Sequence, residues 1–164
     1  MQKRDDPLSK LISVVLRVVT FGGQSHYMTS YVTTLGQGVY VPTSWERMGD
    51  AERYIVLRHE AVHLRQFRRL GWVGMALLYT LPFLPLGLAY GRARLEWEAF
   101  AETLRATAEV HGFAAAARPE LHARITRQFT SGAYGFMWPF PHVIRRWIAR
   151  ELSAMERGLE SPPG

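Results

Sequence analysis

Between Leu70 and Gly91 the chain reads LGWVGMALLYTLPFLPLGLAYG, 22 residues without one charged side chain. A stretch of that length is long enough for one membrane-spanning helix and too short for two, which need about 40 residues. Pro82 and Pro85 near its middle remove backbone donors and clash with the preceding turn. The stretch therefore reads as two short helical pieces rather than one rod. The segments on either side of it constrain it further.

Upstream lies LRHEAVHLRQ, residues 57–66, and downstream RLEWEAFAE, residues 94–102. Residues four apart on a helix lie on one face, so His59 and His63 can turn ring nitrogens to a single ion. Glu60 stands about 100° round from His59, within reach of a water on that ion without ligating it. The HExxH spacing thus supplies two metal ligands and an adjacent general base. The His and Glu content of 164 residues predicts only about 0.01 accidental matches. The chain has no cysteine, so any metal must be held by His, Asp or Glu.

A catalytic zinc takes three protein ligands and keeps a fourth position for water. None of His26, His111, His122 and His142 stands where the extended H-E-x-x-H-x-x-G-x-x-H pattern needs a third histidine. The acidic cluster Glu96, Glu98 and Glu102 is the economical source of the third ligand. A single membrane crossing at 70–91 would then separate His63 from its co-ligand. The segment is expected to be either buried core or a hairpin dipping into one leaflet, with Arg68, Arg69, Arg92 and Arg94 at its base.

Local signals divide the rest of the chain. Leu8, Leu11, Ile12, Val15, Val18 and Val19 fit one face of an amphipathic helix over 1–23, ended by Gly22-Gly23. Arg17 interrupts the apolar run and no small-residue cleavage site follows, so the segment does not read as a signal peptide. Residues 27–41, rich in Tyr, Thr and Val and broken by Gly36 and Gly38, signal a strand, a turn and a second short strand. TSWERMGD makes a turn or short helix, with Asp50 as N-cap of a helix over 51–69 that Gly71 stops. Tyr54, Ile55, Leu57, Ala61, Val62 and Leu64 give that helix a wide apolar side. Further helices are expected over 92–111, stopped at Gly112, over an Ala-rich turn, over 120–129 and over 142–158, with a flexible tail at 159–164. The expected class is α+β: a mostly helical single domain over 1–164, with a small sheet or hairpin preceding the active-site helix.

The formal charge of +6 is carried by arginines spread along the chain, with no basic block interleaved with aromatics. It reads as a solvated basic surface, and nucleic acid is not an expected partner. Contact with a membrane surface is open through 70–91. The expected location is cytoplasmic, with membrane association as the variant.

RHEAVHLRQFRRLG followed by RLEWEAFAE resembles the gluzincin metallopeptidases, particularly their minimal single-domain bacterial members. The resemblance covers about residues 30–105. It implies one Zn2+ per chain on His59, His63 and Glu96, with Glu60 as general base and a strand above the metal that binds extended peptide. Phe100 departs from the family, which often carries Asp there. Reading the register from Glu98 instead restores an acid at that place, Glu102. Arg65 is a second departure, where an apolar residue is common.

For the oxyanion of a tetrahedral intermediate, Tyr134 and His142 flank the aromatic loop and are the candidate donors. Gln66, one turn beyond His63, is expected at a solvated helix position, with a place facing the cleft as the alternative. The activity so implied is zinc-dependent peptide-bond hydrolysis, in an enzyme that is active or latent. Two alternatives are a non-catalytic zinc-stapled binding protein and a basic membrane-surface or nucleic-acid-binding protein with an incidental motif.

Overall fold

The structure, a computed structural model, describes the backbone of residues 33–35, 38–40, 43–80, 87–131 and 137–160. The expected N-terminal amphipathic helix, most of the region 27–41, Pro82, Pro85 and Tyr134 lie outside the described residues. The chain divides into two compact units, Met1–Leu77 and Leu78–Gly164.

In the first unit two three-residue strands, β1 (Thr33–Leu35) and β2 (Gly38–Tyr40), pair antiparallel with Thr34 opposite Val39. They form a hairpin and nothing larger among the described residues. The expectation of an α+β class is thereby corrected: apart from this hairpin, the described elements are helical. Two strands of three residues cannot provide the apolar sheet face that a second structural layer requires. The β-propensity of this region is a local property, and no further strand among the described residues extends it.

A 3-10 helix, Thr43–Arg47, leads into α1, Asp50–Thr80. Arg53 ties the two together. Its Nε donates to the Trp45 carbonyl at 3.1 Å and its Nη2 to the Glu46 carbonyl at 2.8 Å, satisfying carbonyls that the short helix leaves over. The first intrahelical bond runs from Arg53 N–H to the Gly49 carbonyl, so Gly49 rather than Asp50 occupies the cap position. Asp50 sits instead in the first turn, where its charge favours the positive end of the helix dipole. The helix breaks at Gly71, whose φ of 65° and ψ of −178° are open essentially to glycine alone. Gly71 therefore ends one helical rod, as its position predicts, but a second helical stretch follows directly.

The face that α1 buries overlaps the expected one only in part. Tyr54 and Leu57 are exposed, whereas Glu60, Val62 and Gln66 are buried and His59, His63 and Phe67 half-buried. A helical stripe that buries a carboxylate and an amide costs stability unless those groups are satisfied.

The second unit contains α2 (Gly87–His111), α3 (Phe113–Ala116), α4 (Pro119–Thr130) and α5 (Pro141–Glu160). Glycine and proline set the boundaries: Gly112, at φ 84°, follows the last residue of α2, and Pro119 and Pro141 open α4 and α5. Ala93, Trp97, Ala101 and Leu104 follow one face of α2, and they pack with Ile125 and Phe129 of α4 and Ile144, Trp147 and Ile148 of α5. Trp147 meets Trp97 at a ring separation of 5.6 Å, and Phe100 meets Phe129 at 5.4 Å. Arg105 of α2 pairs with Glu151 of α5 at 2.8 Å and with Glu102 at 3.3 Å, closing the polar edge of this core.

Among the described residues no helix is long and apolar enough to cross a membrane. The side chains of 75–89, on which the choice between core and leaflet hairpin rests, lie outside the described set.

Candidate metal centre

The HExxH segment lies within α1, upstream of the break at Gly71. One helical turn separates His59 from His63, and their rings meet edge to face with centroids 5.1 Å apart. Glu60, next to His59, is buried at 6% exposure.

Glu96 of α2 is likewise 6% exposed. One ligand atom each from His59, His63 and Glu96 lie within 4.8 Å of one another. Ligands in a tetrahedral zinc shell with bonds of 2.0–2.1 Å stand about 3.4 Å apart. The donor set suits the ion: two neutral imidazoles and one carboxylate make a three-ligand set that leaves a fourth position open. Glu60 is not part of this group.

The other acids of the cluster lie elsewhere. Glu98 is half-buried and outside the group, and Glu102 is held by the Arg105 guanidinium. Two residues along a helix is a rotation of about 200°, so Glu96 and Glu98 occupy nearly opposite faces of α2.

The remaining histidines of the described residues are occupied differently. His122 Nε2 donates to the Ala116 carbonyl at 2.8 Å, linking α3 to α4. His111 is exposed at the C-terminal end of α2. His142 is exposed in the first turn of α5, its ring 6.0 Å from that of Phe140. Tyr134, the other oxyanion candidate, lies outside the described residues.

Gln66 is where the sequence reading goes wrong. Expected in solvent, it is 2% exposed, and its Oε1 lies 3.0 Å from Nδ1 of His63. The signal available in the sequence was its spacing, i+3 from the second histidine of the motif, which puts the two side chains on one face.

Compared with protein-family models, with curated proteins and with solved structures, the chain matches none.

Proposed function

We propose that this chain is a zinc-dependent peptidase whose metal is held by His59, His63 and Glu96. The reading rests on one observation above all: the HExxH pair and a buried glutamate from a second helix place three ligand atoms within 4.8 Å of one another. Zinc bound there would supply a water acidic enough to ionise near neutral pH and would polarise a substrate carbonyl.

The chain's own groups carry the rest. His59 and His63 contribute neutral nitrogens, and Glu96 contributes one negative charge that offsets part of the ion's two. Glu60 accepts the proton of the attacking water and delivers it to the departing amine of the cleaved peptide. Burial of Glu60 keeps that proton from exchanging with bulk solvent between the two transfers. The resemblance to the gluzincin metallopeptidases points to the same assignment of roles.

Elemental mass spectrometry and a peptide-library digest, run on the wild type and Glu60→Gln, test this. The expected result is about one zinc per chain in both proteins, with cleavage in the wild type reduced about 100- to 10,000-fold in the variant. Equal cleavage by the two proteins would refute Glu60 as base. Absence of zinc from the wild type after zinc is added back would refute the metal site. A zinc-loaded wild type that cleaves no peptide would instead identify a protein that uses the ion to staple its helices.

A further inference from the structure

Among the described residues Gln66 is the most deeply buried polar side chain, at 2% exposure, and the hydrolytic reaction gives it no part. Leaving an amide there without a hydrogen bond would cost roughly 1–3 kcal/mol. Its Oε1 stands 3.0 Å from His63 Nδ1, one turn back on the same helix. Resting on the metal reading above, we infer that Gln66 is a positioning residue: its side-chain carbonyl accepts a hydrogen bond from Nδ1–H of His63 and holds the imidazole in the tautomer whose Nε2 binds the metal.

A neutral imidazole carries one ring proton, on one nitrogen or the other. An amide oxygen only accepts, so a bond from Nδ1 to Oε1 requires that Nδ1 hold the proton. The lone pair is then on Nε2. Metal-bound histidines generally donate their second nitrogen to a carboxylate or carbonyl, which fixes both tautomer and ring orientation. In this chain the acceptor is built into the same helical turn as the ligand, so forming α1 orients His63 before any ion arrives. The opposite amide rotamer would present its NH2 to Nδ1, shift the proton to Nε2 and remove the nitrogen available to the metal.

The acceptor is also neutral. An amide polarises the imidazole less than a carboxylate would, so Gln66→Glu keeps the orienting bond and strengthens the donor nitrogen. Gln66→Met keeps the size of the side chain and removes the acceptor.

Two measurements test the assignment. Imidazole 15N–1H correlation spectra of the metal-free wild type report which nitrogen of His63 carries the proton, without any substitution near the site. Zinc affinity, measured by competition with a chromogenic chelator, compares the wild type with Gln66→Met and Gln66→Glu. The expected results are a proton on Nδ1, zinc binding weakened about 10- to 100-fold in Gln66→Met, and binding at least as tight as wild type in Gln66→Glu. A proton on Nε2, or wild-type affinity in Gln66→Met, overturns the inference while wild-type zinc binding leaves the metal site standing. A wild type that fails to compete for zinc overturns both, and is told apart by that failure.

Discussion

His59 and His63 touch edge to face, ring planes at 74° and centroids 5.1 Å apart, on a helix face that also buries Glu60 and Gln66. Two histidines, an acid and an amide on one inward-turned stripe are an expensive way to build a hydrophobic core.

Metal binding should be visible in stability. An ion that binds only the folded chain stabilises it by about 2.7 kcal/mol at a free concentration one hundred times its Kd. Zinc is expected to raise the thermal midpoint by several degrees, and a chelator to reverse the rise. In His63→Ala the shift should vanish, which differential scanning calorimetry would register directly.

Glu96 and Glu98 are separable by substitution. Glu96→Ala removes a ligand of the three-residue group and is expected to lose zinc, whereas Glu98→Ala should retain about one ion per chain. The reverse pattern would move the third ligand to Glu98, and metal content by elemental mass spectrometry decides between them.

Phe129 has no solvent exposure and lies between Phe100 and Trp147, at 5.4 and 6.5 Å. Phe129→Ala opens a cavity where α4 meets α2 and α5. The expected loss is about 3–5 kcal/mol in urea unfolding. Arg105→Ala, at the half-exposed edge of the same core, should cost no more than about 1 kcal/mol.

Gly71 carries its constraint in the backbone rather than in packing. A Cβ built there meets nothing within 4 Å, yet φ is 65° with an extended ψ. Gly71→Ala is therefore expected to cost about 1–3 kcal/mol through strain alone. A loss well below that range would mean that the break in α1 relaxes into a continuous helix, which a gain in helical circular dichroism would report.

The sequence by itself determined what depends on neighbours along the chain. Gly71, Gly112, Pro119 and Pro141 mark helix boundaries because φ preferences and missing donors act locally. The pairing of His59 with His63 follows equally from the 3.6-residue turn. Tertiary structure decided what depends on how each helix is rolled about its axis. Periodicity placed Leu57 on an apolar face, but the buried side proved to be the one with Glu60 and Gln66. Glu96 and Glu98 are chemically equal and nearly opposite on α2; the family resemblance favoured Glu96, and it is Glu96 whose carboxylate is grouped with His59 and His63. The α+β expectation failed for a related reason: β-propensity near residues 33–40 is local, whereas a sheet needs further strands, and the described remainder is helical.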